Sequence, residues 1–468
     1  MKLQCVLLLV LCLLGYGYSN NMVLNLHHKY GGREGSNLSD LRAHDLRRHG
    51  RMLGAVDFPI GGTTKSTGVG LHYTKLMIGT PPKAYNVFVD TGSDIPWVHC
   101  AGCDSCPKES SLGIDLVQYD IKASSTGYWV NCYRDFCYTL YTKQYQTCGT
   151  SRHCAFEISY GEGSRTVGSY VHDYVHIDQV TGNLQTASVG GTIVFGCSSE
   201  VSGLLSTDDE SSDGIIGFGQ ANSSFISQLT AQRKVKKIFS HCLNRNGGGI
   251  LAIGQVVQPK VNSTPLEPNR RHYTVILKSI EVGGVALDTQ FYGGVETIID
   301  SGATFAYFSG WIYDPLVHKM LEKQPGLKTS FINGFKCFDY HGNVDEGFPV
   351  VTLNFMGSLN LTLYPHDYLL SFDQPGVQCI ALLSKGMTLL GDVALSNKLF
   401  VYDLESQTLG WTEHDCSSSI KVKDEGTGNV YTLGAHHRAS SSDLRTRKRI
   451  IFIFFFIIYI FVCNILTI

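Results

Sequence analysis

The chain has 468 residues, of which 43% are hydrophobic and 17% charged, and its 38 Lys and Arg nearly balance 40 Asp and Glu. A chain this long rarely folds around one core, so two lobes are the expectation, and the apolar content is that of a large globular protein rather than a disordered one. The body carries no basic stripe, which argues against nucleic-acid binding.

In chain order, Met1 and Lys2 lead into an apolar run over residues 3–14, followed by small and polar residues near Gly17 and Ser19. That is the layout of a secretory signal peptide over residues 1–19, too short to span a bilayer. Residues 20–69 read as a basic leader, rich in His27, His28, Arg42, His44, Arg47, Arg48, His49 and Arg51. Residues 70–416 hold about 23 Lys and Arg against about 33 Asp and Glu, a net charge of about minus ten. A basic leader on an acidic body fits a prosegment that lies across a cleft, or else a disordered linker.

The body is predicted to be mostly β. Short alternating runs such as residues 85–89 and 274–277 are bounded by Gly, Pro and Asn. Setting aside Cys5, Cys12 and Cys463 in the terminal apolar runs leaves an even number of cysteines. Cys100, Cys103 and Cys106 have a spacing that could hold zinc, but in an oxidising compartment disulfides are the natural reading. Sequons at Asn37, Asn222, Asn262 and Asn360 are compatible with glycosylation there.

After Cys416, residues 417–449 read as a polar linker, and residues 450–468 are almost wholly apolar. That run is long enough to cross a membrane, yet Arg445, Arg447, Lys448 and Arg449 precede it and no charge follows it. On a translocated chain those cations would lie outside, against the positive-inside rule. A glycosylphosphatidylinositol-attachment signal fits better, with the small residues Ala439-Ser440-Ser441-Ser442 at the cleavage site. An ordinary transmembrane anchor is the alternative.

Two stretches carry the chemistry: Val87-Phe88-Val89-Asp90-Thr91-Gly92-Ser93 and Thr297-Ile298-Ile299-Asp300-Ser301-Gly302-Ala303. In each, apolar residues lead to an Asp, then a small hydroxyl residue, then Gly. A strand-to-turn design of this kind presents a carboxylate, the Gly permits close backbone approach, and the hydroxyl can bond across to the partner loop. Each is followed downstream by an apolar pair and Gly, Ile215-Ile216-Gly217 and Leu389-Leu390-Gly391, so the order implies a duplicated lobe. One Asp-Thr-Gly-Ser alone is weak evidence; two loops with ordered partners are strong evidence.

On these motifs the chain resembles the pepsin-like aspartic proteases, in their plant-type, nepenthesin-like branch, and is similar to glycosylphosphatidylinositol-anchored plant enzymes. The resemblance runs from about His72 to Cys416. It includes Gly79-Thr80-Pro81-Pro82, Trp97 after the first loop, Tyr160-Gly161 at the tip of a mobile flap, a cysteine-rich insert over residues 100–154, and Gly391-Asp392-Val393-Ala394-Leu395-Ser396-Asn397-Lys398. It implies a bilobal, mostly β fold with a cleft, an N-terminal lobe over residues 70–261 and a C-terminal lobe over residues 262–416. It also implies the pairs Cys337–Cys379 and Cys242–Cys416.

The chemistry it implies is peptide hydrolysis in polypeptide substrates by a water activated between Asp90 and Asp300. The loops Thr91, Gly92, Ser93, Ser301 and Gly302 would hold the pair, Tyr160 and Gly161 would close over substrate, and Trp97 would support them. No cofactor or metal is expected, and the enzyme is expected to act as a monomer. Relatives of this fold that have lost catalysis serve as inhibitors or binding proteins, but here both Asp residues and both loop glycines are present. No Gly-x-Ser-x-Gly or His-Glu-x-x-His occurs to support a serine or zinc hydrolase. Two departures stand out: Ala303 where many relatives carry a hydroxyl, and Pro96, which cannot donate to a strand ladder.

Overall fold

The computed structural model describes residues 55–61, 72–110, 114–140, 152–160, 163–208, 211–245, 247–332, 334–371 and 376–435. Gly161, Asn37, the signal-like run and the tail at 450–468 lie outside them. Among the described residues no helix is long and apolar enough to cross a membrane.

The β expectation holds, and the sheet topology explains the motif order. Strand Lys83–Asp90 runs parallel to Gly214–Gly217, with Asp90 opposite Gly217. Trp97–His99 packs antiparallel on the other side of Gly214–Gly217. The second half repeats the pattern: Val295–Ile299 is parallel to Thr388–Leu390, and Ala306–Phe308 lies antiparallel beside it. The near-continuous apolar character of these strands follows from their central place, where both faces are covered. Val87, Val89, Ile216, Ile299 and Leu390 are all 0–1% exposed.

One long sheet runs through both halves of the chain. Ile238–Leu243 pairs antiparallel with Lys398–Asp403, which pairs with Thr408–Glu413. On its other side Ile238–Leu243 pairs with Gly249–Ile253. The Asp90 strand belongs to this sheet, whereas the Asp300 strand lies in a separate eight-stranded sheet, so the two motifs meet through their loops.

Two segments differ from the sequence reading. Val56–Gly61, placed in the basic leader, is a strand of the long sheet and pairs with Gly249–Ile253. Its Val56, Phe58 and Ile60 are 1–3% exposed, an alternation that the surrounding basic residues obscured. Residues after Cys416, read as a polar linker, include strands Ile420–Lys423 and Val430–Leu433, which form a three-stranded sheet with Gln255–Gln258. Ile420 and Val422 point inward while Lys421 and Lys423 alternate with them, so the segment is a half-buried strand.

The cysteines of the insert form disulfides, Cys100–Cys197, Cys103–Cys106 and Cys137–Cys154, which removes the zinc reading of Cys100, Cys103 and Cys106. Cys242–Cys416 and Cys337–Cys379 pair as the resemblance implied. Pro96 stands just before its strand and offers only its carbonyl, which accepts from the Gly196 N–H at 2.9 Å. The sequons Asn222, Asn262 and Asn360 are all exposed.

If the segment after Cys416 is part of the fold, Ile420→Ala should destabilise the protein by about 2–5 kcal/mol. Denaturant unfolding of the wild type and variant checks this; an unchanged midpoint would mean that the segment is a linker after all.

Candidate active site

The site is built where two strands end. Asp90 closes Lys83–Asp90 and Asp300 follows Val295–Ile299, each held by the parallel neighbour: Phe218 N–H donates to the Asp90 carbonyl at 2.8 Å, and Asp300 N–H donates to the Leu390 carbonyl at 3.0 Å. The apolar-Gly motifs thus position the two carboxylates from beneath.

The loops then grip each other through their hydroxyls. Thr91 N–H donates to Ser301 Oγ at 3.1 Å, and Ser301 N–H donates to Thr91 Oγ1 at 2.9 Å. Ser301 Oγ donates to the Val89 carbonyl at 3.0 Å, and Thr91 Oγ1 reaches the Ile299 carbonyl at 3.5 Å. Thr91 and Ser301 are 1% and 2% exposed, so these bonds form in a dry interior. The backbone N–H and side-chain hydroxyl of each residue bond to the opposite loop, and the Thr91 hydroxyl also meets Tyr402 beneath it.

The grip brings the glycines against the opposing carboxylates. A Cβ at Gly92 would overlap the Asp300 carboxylate, and one at Gly302 would overlap that of Asp90. Gly92 and Gly302 are therefore required by close approach. The two carboxyl groups are close enough to act directly on each other, so both cannot easily carry charge at once.

The pair is not symmetric. Asp90 accepts from Gly92 N–H at 2.8 Å, from Ser93 N–H at 3.2 Å and from the Ser93 hydroxyl. Asp300 accepts from Gly302 N–H at 2.8 Å, and Ala303 offers no hydroxyl to match Ser93. Burial raises both groups above the usual carboxylate range. For Asp90 the Ser93 hydroxyl and the loop N–H groups oppose that rise, whereas for Asp300 the charge of Asp90 adds to it. Negative charge is thus favoured on Asp90 and the proton on Asp300.

Of the other sequence-picked residues, Trp97 and Tyr160 come together: Trp97 Nε1–H donates to Tyr160 Oη at 2.7 Å. Tyr160 follows strand Ala155–Ser159, which forms a hairpin with Arg165–Gly182, and its N–H donates to the Ser164 carbonyl at 2.8 Å. Trp97 is 1% exposed, so it is a fixed post for that hairpin end. Sequence reasoning missed the aromatic layer beneath the loops. Phe239 stacks on Tyr402 at 4.4 Å, and Tyr273 packs against Tyr402 at 4.7 Å while donating its hydroxyl to the Phe218 carbonyl at 2.6 Å. Phe239 and Tyr402 face each other on paired strands far apart in the sequence, Tyr273 just precedes strand Thr274–Val282, and no local motif marks them.

Known proteins resemble this chain in sequence and fold. Residues 72–255 match the family described as "Xylanase inhibitor N-terminal" and residues 272–413 the one described as "Xylanase inhibitor C-terminal". Aspartic proteinase 36 of Arabidopsis thaliana is 46% identical over 459 residues, covering 95% of this chain and 94% of that one. The chain belongs to the plant pepsin-like aspartic proteinase family. Aspartic proteinase 39 of the same plant is 43% identical over 451 residues, 94% of each chain. Among solved structures, conglutin gamma, a basic 7S globulin from lupine seeds, superposes with a TM-score of 0.62 at 19% identity, covering 77% of this chain and 95% of that one. The soybean basic 7S globulin gives 0.61 at 20% identity, with 78% and 96% covered. These two show that the family's bilobal fold is shared.

The site's desolvation has a consequence for stability. Burial pushes Asp300 up to about 8, and Asp213, under the same first loop strand, up to about 6. The folded state therefore keeps protons that the unfolded chain releases near pH 4, so stability is greatest in acid and falls as pH rises through that window. Thermal unfolding across pH 4 to 8 should show Tm falling with pH, and Asp300→Asn should flatten the part of the slope above about pH 6.

Proposed function

We propose that this family member is an active aspartic endopeptidase that hydrolyses peptide bonds at acidic pH with Asp90 and Asp300. The observation that carries the reading is the crossed grip of Thr91 and Ser301, which presses each loop's glycine against the opposing carboxylate. An inert binding protein would have no need to keep two carboxyl groups buried face to face, since their mutual repulsion costs stability.

In the proposed reaction a water sits between the carboxyl groups. Charged Asp90 takes one of its protons as the oxygen attacks the peptide carbonyl carbon, and Asp300 gives its proton to the carbonyl oxygen. The C–N bond then breaks as Asp90 passes its proton to the departing amine, and one hydroxyl of the tetrahedral intermediate returns its proton to Asp300. No covalent bond to the enzyme forms. Tyr160, with Gly161 beyond it, serves as the flap that excludes bulk water, with Trp97 as its support.

The same reading places the chain in the secretory pathway, with residues 1–19 as signal peptide and part of the basic leader as prosegment. The disulfides in the described body and the exposed sequons Asn222, Asn262 and Asn360 support it. Within this reading, the charge order around residues 445–468 supports attachment outside the plasma membrane through a lipid anchor near residues 439–442.

Two measurements test the proposal. The purified ectodomain should cleave acid-denatured globin and be blocked by pepstatin, while Asp90→Asn should lose activity by at least about a thousandfold; a wild type as silent as the variant would leave an inert binder. Ala303→Thr should supply Asp300 with the missing donor and favour its charged form, moving the alkaline limb of the pH–activity profile, where Asp300 loses its proton, down by about one unit. A limb that stays or rises refutes the role given to Ala303.

A further inference from the structure

We infer that the second lobe carries a pocket for an acidic substrate side chain, with Arg271 as its specificity-determining residue, two to four positions from the cut peptide bond. This inference rests on the endopeptidase reading for its use in cleavage.

Alternate residues of a strand share a face, and each residue advances the strand by about 3.3 Å. Glu296 and Ile298, on the strand that delivers Asp300, therefore lie on the face of that carboxylate, about 13 Å and 7 Å back along the strand. Both border an open cleft of about 410 Å³ whose other walls include Arg270, Arg271, His272 and Trp311. An extended peptide crossing the Asp pair would bring residues a few positions from the scissile bond over this cleft.

The charge of the walls names the ligand. Arg270 is ion-paired with Glu296. Arg271 is exposed and, among the described residues, has no ion pair. Its segment is not loose: Gln220, from the loop beneath Asp90, donates to the Arg270 carbonyl at 3.2 Å and to the His272 carbonyl at 2.8 Å. Three cationic or titratable bases thus gather on a body that carries a net charge of about minus ten. A guanidinium with its partner positions open offers a fork for a carboxylate.

Unmet hydrogen bonding points the same way. Ser309 Oγ is buried, belongs to a residue bordering the cleft, and has no hydrogen-bond partner among the described residues. A buried hydroxyl without a partner is costly, and a side-chain rotation would turn it to an oxygen held in the cleft. Trp311, half exposed and edge-on to Phe291 at 5.6 Å, supplies an apolar wall for the methylenes of an Asp or Glu.

The test uses capped ten-residue peptides that share one cleavable core, with a single Asp or its uncharged isostere Asn placed in turn at each of four positions on either side of the cut. At pH 5, where a free Asp is mostly ionised, the wild type should favour Asp over Asn in kcat/KM by about five- to tenfold at one or two positions. Arg271→Gln should bring that ratio within about twofold, Arg271→Glu should turn the preference to a Lys peptide, and Lys122→Gln on the first lobe should leave the ratio unchanged. A ratio near one at every position, or a preference that survives Arg271→Gln, overturns the pocket. Binding of the same peptides to the Asp90→Asn protein, followed by fluorescence anisotropy, separates this from failure of catalysis. Tighter binding of the Asp peptide that is lost on adding Arg271→Gln sustains the pocket even if the wild type cleaves nothing, and equal Kd values refute it.

Discussion

Two carboxylic acids held together in a dry site repel as soon as both ionise, and the fold around them is organised to bear that cost. The bonds exchanged by Thr91 and Ser301 lock loops 210 residues apart into one unit. Because each loop's N–H and hydroxyl bond into the partner loop, separating the loops would strand buried donors and acceptors, which opposes the carboxylates' tendency to drift apart. The parallel strand beneath each loop presents it at the separation this grip requires.

Within that frame, small differences in hydrogen bonding decide the protonation of the pair. Ser93 and Ala303 occupy equivalent places in the two loops, yet only Ser93 can donate a side-chain bond to its Asp. The backbone donors are otherwise similar, so one hydroxyl distinguishes the charged partner from the proton holder. Beneath them Phe239, Tyr273 and Tyr402 form an apolar layer that keeps solvent from the loops' undersides. The asymmetry therefore operates at low dielectric, where a single donor has a large effect.

Much of the candidate site could be read from sequence because each half of it is a local motif. Asp90-Thr91-Gly92 and Asp300-Ser301-Gly302 announce a turn, a hydroxyl and a close approach within three residues, and their repetition announces a partner. The elements that escaped notice lack such concentration. Val56–Gly61 is short and follows a basic stretch, so its alternation was outweighed by composition. Ile420–Lys423 interleaves lysines with its apolar residues and reads as polar until its inward face is seen. Arg271 has no motif at all, since its place on the cleft bordered by Glu296 and Ile298 comes from a strand pairing and a contact from the other lobe.

By itself, the sequence determined the β class, the duplicated order of Asp loop and apolar-Gly segment, and the identity of the two carboxyl groups, because these depend on residue types within a few positions of one another. The family's pattern also implied Cys337–Cys379 and Cys242–Cys416. Only the tertiary structure decided that Thr91 answers Ser301, that Gly92 lies against Asp300, that Ser93 leaves the pair unequal, and that the chain continues past Cys416 into a sheet. Those relations join residues tens to hundreds of positions apart, and contact across such distances is set by how the strands pack.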